Sequence, residues 1–182
     1  MMTTFVALLR AVNVSGKNRL PMAELRRSLG SSGLAGVETY LQSGNVVFAA
    51  EGDDPAKHGA EIRRLIEREF GLDVPVLVLS AAELAHIAAA DPFVTAGADE
   101  KSLHVTFLEG PVQEAAFGGL DLPTQGDEQA VLAGRVVYLC LQHGYGRTKL
   151  NNAYFERTLK TSATTRNRRT VLALVQMSAR GT

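Results

Sequence analysis

The chain has 182 residues, of which 46% are hydrophobic and 21% are charged, and its formal net charge at neutral pH is zero. This composition excludes intrinsic disorder and suffices for one large domain or two small lobes with buried cores. No run of about twenty apolar residues is present, so no membrane span is expected. The first residues lack the basic region of a signal peptide, and the single cysteine, Cys140, is expected to be a buried structural thiol; both features favour a cytoplasmic location.

The first eighty residues alternate between patterns typical of strands and of helices. An apolar run at 4–9 predicts a buried strand, and Pro21 begins a helix with an apolar face. Two short strand patterns then surround a turn, a helix begins after Asp54-Pro55, and an apolar strand follows at 74–79. The order β-α-β-β-α-β predicts a ferredoxin-like lobe over residues 1–80.

The second half repeats this theme less regularly. Ser80 and Glu83 form a capping box before an Ala-rich helix, and we assign residues 81–101 to a connecting helix and linker. The following patterns predict a strand at 103–108, a short helix at 111–118, a hairpin of 129–132 with 135–141, and helices at 152–159 and 168–178. Residues 102–182 therefore form a second lobe, and we expect an α+β fold of two ferredoxin-like lobes with antiparallel sheets and a C-terminal helix.

Polar residues concentrate in two loops of the first lobe. In a β-α-β-β-α-β unit the first two strands run in the same direction, so the loops that follow them leave one end of the sheet. Lys and Arg supply positive charge there, the amides and the hydroxyl supply donors and acceptors, and the glycines permit positive φ. The candidate ligand-binding residues are Arg10, Asn13, Gly16, Lys17 and Asn18 in the first loop, and Gln42, Ser43, Gly44 and Asn45 in the second.

Such a cluster suits a phosphate or another oxyanion. The alternative is that these residues form turns for backbone reasons alone. The segment 15–18 resembles the end of a P-loop, but Ala11 stands where the first glycine belongs and Asn18 replaces the metal-binding Ser or Thr.

Charge is segregated along the chain. Residues 1–142 carry 11 Lys/Arg and 18 Asp/Glu, a net of −7, whereas residues 143–182 carry 8 Lys/Arg and one acid, a net of +7. Hydroxyls and an Asn precede the last helix, so one of them should be its N-cap, and a helix N-terminus beside Arg can bind an anion. Alternatively, the basic end folds against the acidic middle. The candidate residues are Arg147, Lys149, Asn151, Thr165, Arg166 and Asn167.

Four segments together resemble a known family: 8–18 (LLRAVNVSGKN), Pro21-Met22, 40–48 (YLQSGNVVF) and 164–167 (TTRN). They are similar to the domain-of-unknown-function 1697 family of uncharacterised bacterial proteins, and the similarity spans nearly the whole chain. The resemblance implies an α+β fold of two ferredoxin-like lobes and implies no activity. Family members often place a tryptophan at the position of Arg168, and this chain has no tryptophan, which argues against an aromatic stacking platform there.

Signs of catalysis are weak. The four histidines lack ligand spacing, so neither a metal nor a cofactor is expected. No nucleophile elbow is present, and neither Ser15 nor Ser43 has an identifiable base. His143 lies in a basic, Gly-rich loop and is a candidate acid or base.

The leading hypothesis is a binding module for a phosphorylated ligand, either a small nucleotide or a nucleic-acid segment. The strands lack the aromatic signature of an RNA-recognition motif, and the acidic middle argues against a broad nucleic-acid footprint. The alternatives are a small-substrate enzyme that uses the same polar cluster, or a structural or interaction protein without a ligand. Nothing in the sequence indicates an oligomeric state.

Overall fold

A computed structural model describes residues 1–180 and divides the chain into two compact units. Unit 1 contains Met1–His86 and residues 173–180, and unit 2 contains Ile87–Leu172. Each unit has a four-stranded antiparallel sheet with helices. The predicted α+β class with two antiparallel sheets and a C-terminal helix is confirmed.

Unit 1 has the predicted β-α-β-β-α-β order. Its elements are β1 (Met2–Leu9), α1 (Met22–Ser31), β2 (Ala35–Tyr40), β3 (Asn45–Glu51), α2 (Pro55–Phe70) and β4 (Val76–Ser80), followed by α3 (Ala81–Ala89). The strand order in the sheet is β2-β3-β1-β4, so the first and third strands are central. Their apolar side chains pack with those of α1 and α2 into one core, which includes Phe5, Leu25, Phe48 and Ile66.

Local signals fix the helix ends in unit 1. The Asp54 carboxylate accepts hydrogen bonds from the N–H groups of Ala56 and Lys57, at 3.0 and 3.2 Å, and so caps α2. Gly71 ends the same helix in the left-handed conformation, with φ of 66°. The Glu83 N–H donates to Ser80 Oγ at 3.1 Å, as expected for the start of α3.

Unit 2 repeats the same order. After α4 (Pro92–Thr95) and a 3-10 turn (Glu100–Ser102) come β5 (Leu103–Leu108), α5 (Glu114–Gly118), β6 (Gln129–Ala133), β7 (Val136–Cys140), α6 (Asn152–Leu159) and β8 (Ala163–Asn167), and then α7 (Arg168–Ala179). The sheet order is β6-β7-β5-β8. Cys140 is a free, buried thiol within β7, as predicted.

Strand β8 corrects the sequence interpretation, which placed a basic segment without regular structure directly before the last helix. Residues 163–167 instead pair antiparallel with β5. The sequence did not predict this strand, because polar side chains occupy buried positions in it. Thr164 and Arg166 are buried, and the Arg166 guanidinium donates a hydrogen bond of 2.8 Å to Thr164 Oγ1. The predicted N-cap of α7 is confirmed, because Asn167 Oδ1 accepts from the Thr170 N–H at 2.8 Å.

Candidate functional site

The two polar loops of unit 1 lie against each other. We call residues 10–20 loop 1 and residues 41–44 loop 2, and the two together the loop pair. Loop 1 follows β1, and loop 2 joins β2 to β3. Leu8 and Tyr40 both pair with Asn45, so β1 and β2 end side by side across β3. The topology therefore places both loops at one end of the sheet, as expected.

Two direct hydrogen bonds join the loops. The Leu9 N–H donates to the Gly44 carbonyl at 2.8 Å, and Asn13 Nδ2 donates to the Gln42 carbonyl at 2.7 Å. Gly44 itself leaves no room for a side chain. A Cβ there would lie 2.5 Å from Val12 Cγ2 and 2.7 Å from Leu9 Cβ, and the φ of Gly44 is +86°. Glycine is therefore required where the loops touch.

The asparagines of loop 1 maintain its shape. Asn13 Nδ2 also donates to the Leu20 carbonyl, and Asn13 Oδ1 accepts from the Leu20 N–H, both at 2.9 Å. Asn18 Nδ2 donates to the Ala11 carbonyl at 3.0 Å. Both amides hydrogen-bond to backbone groups and so hold loop 1 in shape.

Loop 2 is held in the same manner. Asn45 is fully buried, and its Nδ2 donates to the Tyr40 carbonyl at 2.8 Å and to Ser43 Oγ at 3.1 Å. The bond to Tyr40 closes loop 2 across the ends of β2 and β3. Asn45 thus fixes the loop from beneath and does not face solvent.

The backbone of the loop pair is strained. Five residues other than glycine have φ between 49° and 57°: Ala11, Asn13, Ser15, Asn18 and Leu41. Only asparagine adopts this left-handed region readily, and the others cost about 1 kcal/mol or more each. Ser15 and Gly16 form the centre of a turn in which the Lys17 N–H donates to the Val14 carbonyl at 3.0 Å. Positive φ at both central residues makes this a type I′ turn.

The outer surface of the loop pair combines two exposed cations, Lys17 and Arg19, with apolar side chains. Lys17 is exposed, and within residues 1–180 its ammonium makes no hydrogen bond or ion pair. The N–H groups of Ser15 and Gly16 likewise have no partner in the described chain. Val14 and Leu41 are 54% and 55% exposed. Arg10 is half-buried at the base of loop 1, where its N–H donates to the Pro75 carbonyl.

The C-terminal candidates lie in unit 2 and do not form one cluster. Arg147 and Lys149 are exposed in the loop before α6, and Asn151 Oδ1 caps that helix by accepting from the Tyr154 N–H at 3.0 Å. Thr165 and Asn167 project from one face of β8, whereas Arg166 projects from the other because side chains alternate along a strand. The sheet thus separates the Arg166 guanidinium from its two neighbours.

Sequence reasoning missed a polar network on the sheet of unit 2. Thr165 Oγ1 lies 2.8 Å from Thr106 Oγ1 and donates to Asn152 Oδ1 at 2.7 Å. His104 stacks on Tyr145 with ring centroids 5.7 Å apart. Burial lowers the pKa of His104, and a hydrogen bond to the Ser102 carbonyl opposes this only in part. The sequence signal that could have indicated this network is His104 and Thr106, two polar residues two positions apart in the otherwise apolar strand β5.

Arg168 is held in a buried ion pair. Its guanidinium lies 3.6 Å from Asp91 Oδ2 and donates to the Ala88 carbonyl at 3.1 Å. Tyr138 lies in the same region and donates to the Ile87 carbonyl at 2.8 Å. Burial, with a smaller effect of the Asp91 carboxylate, raises the pKa of Tyr138 to about 12. Arg168 therefore anchors the start of α7 to the segment after α3.

Two further properties concern residues 1–180 only. No group of three or more His, Cys, Asp or Glu side chains in this range is arranged to hold a metal ion. None of the helices within it combines the length and the apolar character that crossing a membrane requires.

Comparisons with known proteins agree with this architecture. A family model described as a protein of unknown function (DUF1697) matches residues 2–138. The fold is similar to that of the conserved bacterial protein SP0830 from Streptococcus pneumoniae, with a TM-score of 0.71 and 26% sequence identity over 97% of this chain and 99% of that chain. No curated protein matches the sequence.

Proposed function

The chain belongs to the DUF1697 family of proteins of unknown function, and for this member we propose that the loop pair binds a phosphorylated ligand, either a nucleotide or a nucleic-acid segment. The observation that carries the proposal is the turn at 14–17. It presents the unpaired Lys17 ammonium beside the N–H groups of Ser15 and Gly16, which have no partner among residues 1–180. Successive N–H groups in a turn, together with a cation, are a recurring way to bind phosphate oxygens.

Backbone strain supports the same assignment. Residues other than glycine persist in the left-handed region only where surrounding contacts fix them, and such positions cluster at ligand sites. Here the Asn13 amide and the Gly44 contact supply that fixation. A site whose donors are already held in place loses less conformational entropy when a ligand binds.

We assign different roles to the candidate residues. Asn13, Asn18 and Asn45 set the shape of the loops, whereas Lys17 and the exposed Gln42 side chain face the ligand. Loop 1 exposes two cations, Lys17 and Arg19, which suit the few phosphates of a nucleotide better than a long backbone, so we favour a nucleotide over an extended strand. We place this binding in the cytoplasm, in keeping with a lone reduced cysteine.

The test is binding of ATP and of a fluorescent single-stranded oligonucleotide of about twelve nucleotides. We expect Lys17→Ala to weaken binding about tenfold, the usual effect of losing one charge-assisted hydrogen bond. Lys57→Ala is the matched control, because Lys57 is an exposed lysine of unit 1 on α2. Equal affinities for the two variants, or no binding of either probe, would contradict the proposal. A steep loss of affinity between about 50 and 200 mM salt would identify the nucleic acid.

A second candidate is a protein–protein contact at the same place. It is favoured by the exposure of Val14 and Leu41, which project from the two loops with no apolar neighbour to cover them fully. In that case a Val14→Ser, Leu41→Ser variant, which adds no charge beside Lys17, would lose the protein partner while keeping its affinity for ATP.

A further inference from the structure

The loop pair exposes two apolar side chains that add little to the core of unit 1. Val14 in loop 1 and Leu41 in loop 2 are 54% and 55% exposed. Leu41 also has φ of 57°, in the left-handed region that disfavours leucine and accepts asparagine or glycine. A residue that is both strained and largely exposed contributes little to stability, so its presence in the loop points to a contact made by its side chain.

Val14 lies beside the cation of the phosphate site. Val14 and Lys17 are opposite each other in an isolated antiparallel bridge, and the Lys17 N–H donates to the Val14 carbonyl at 3.0 Å. The side chains of two residues directly opposite in an antiparallel pair project from one face, with their Cβ atoms about 5 Å apart. The turn therefore presents an apolar side chain and an ammonium group together.

The Asn13 side chain brings loop 2 to the same place. Asn13 Nδ2 donates to the Gln42 carbonyl at 2.7 Å. Val14 follows Asn13 and Leu41 precedes Gln42, so the two apolar side chains lie on either side of this hydrogen bond. The Gln42 side chain is exposed, and its amide has no hydrogen-bond partner among residues 1–180. The loop pair thus combines phosphate donors, a small apolar patch and an available amide.

We propose that Val14 and Leu41 contact the planar base of a nucleotide while the turn at 14–17 binds its phosphates. This inference rests on the phosphate-binding function proposed above. Nucleobase faces pack on apolar side chains, and the amide of Gln42 is suited to hydrogen-bond with the edge of a base. The ligand class is then a nucleoside phosphate, because inorganic and sugar phosphates have no planar apolar face to cover the patch.

The size of the patch favours a base over a protein partner. Loops 1 and 2 expose no large apolar side chain besides Val14 and Leu41. Two half-exposed side chains of this size leave on the order of 100 Å² of apolar surface. A stable protein interface takes about 800 Å² from each partner, whereas one ring system covers an area of the smaller size. Covering about half of the patch is worth about tenfold in affinity.

Binding of ATP and of inorganic triphosphate to the full chain tests this inference. Both ligands carry three linked phosphates, but only ATP has a base. We expect wild type to bind ATP about tenfold more tightly than triphosphate. The Val14→Ser, Leu41→Ser variant should bind the two ligands equally, with its affinity for triphosphate unchanged. Val94→Ser is the matched control and should keep the preference for ATP, because Val94 is 43% exposed and lies in unit 2, outside the loop pair.

Leu41→Asn separates ligand contact from stability. Asparagine adopts the left-handed region readily, so this variant should melt at the same temperature as wild type or higher. It should nevertheless lose most of the preference for ATP over triphosphate, because the apolar side chain is gone. A lower melting temperature together with an unchanged preference for ATP would show that Leu41 stabilises the loop and does not contact a base.

The two proposals fail in different ways. If triphosphate binding depends on Lys17 but wild type shows no preference for ATP, the phosphate site stands and the base contact is overturned. A preference for ATP that persists in the Val14→Ser, Leu41→Ser variant also overturns the base contact, and leaves the two side chains to a protein partner. If neither ligand binds, the phosphate site and the base contact are both overturned.

Discussion

Replacing Gly44 by alanine tests whether the contact between the two loops stabilises unit 1. The new methyl group would lie 2.5 Å from Val12 Cγ2 and 2.7 Å from Leu9 Cβ, so at least one of these side chains must move. Overpacking of this kind costs about 1–3 kcal/mol. The φ of +86° adds about 1–2 kcal/mol, because alanine disfavours the left-handed region. We therefore expect the free energy of unfolding to fall by about 2–5 kcal/mol.

Gly16→Ala separates these two contributions. Gly16 has a similar φ of +74°, but a Cβ there would meet nothing within 4 Å. This variant should lose only the backbone contribution of about 1–2 kcal/mol. Urea unfolding followed by circular dichroism measures both variants, and about 1 kcal/mol corresponds to 2–4 °C in melting temperature for a chain of this size. If Gly44→Ala is no less stable than Gly16→Ala, the loops are not held together by close packing at Gly44.

Two further predictions concern the helix packing of unit 1 and the buried histidine of unit 2. Gly59→Ala should destabilise the protein by about 1–3 kcal/mol, because its Cβ would lie 2.9 Å from the Val76 carbonyl oxygen. Gly30→Ala in α1 should stabilise the protein by about 0.5–1 kcal/mol, because a Cβ there meets nothing within 4 Å. Urea unfolding measures both variants, and changes of the same sign in the free energy of unfolding would contradict this reasoning. Burial lowers the pKa of His104 below its ordinary value of 6.5, so the unfolded chain binds the proton more readily, and the His104 contribution to stability is present above pH 6.5 and is lost as the pH falls below it. Unfolding of wild type and His104→Gln between pH 8 and about 5 should show a smaller pH dependence for the variant, and identical slopes would refute the assignment.

The sequence predicted elements whose signals are local. The helix at 152–159 and the hairpin around residues 133–134 occur where the apolar periodicity and Gly134 indicated them. Strand β8 was missed because its evidence is not local. Its Thr and Arg residues form a strand because their backbone pairs with β5 and because Thr164 provides a hydrogen-bond partner for the Arg166 guanidinium.

In the candidate site, too, features that follow from element order were predicted, and features that depend on distant residues were not. Topology alone brought the two loops to one end of the sheet, because strand direction follows from element order. The use of the Asn13 amide could not be derived, since its partners Leu20 and Gln42 lie seven and 29 residues away and depend on the folded backbone. Asn13, Asn18 and Asn45, three of the candidate ligand-binding residues, also hold the loops in shape.

This arrangement has a consequence for how such a site can be found or transferred. A peptide of residues 10–20 would relax its left-handed residues at once, because the Gln42 carbonyl and the Gly44 contact that fix loop 1 belong to another part of the chain. The phosphate-binding geometry that we propose therefore exists only after β1 has paired with β3. A search for the linear segment 10–18 in other proteins would find the sequence of the site without its conformation. A search for the same segment with Gly44 and Asn45 packed beneath it would find the sequence together with its conformation.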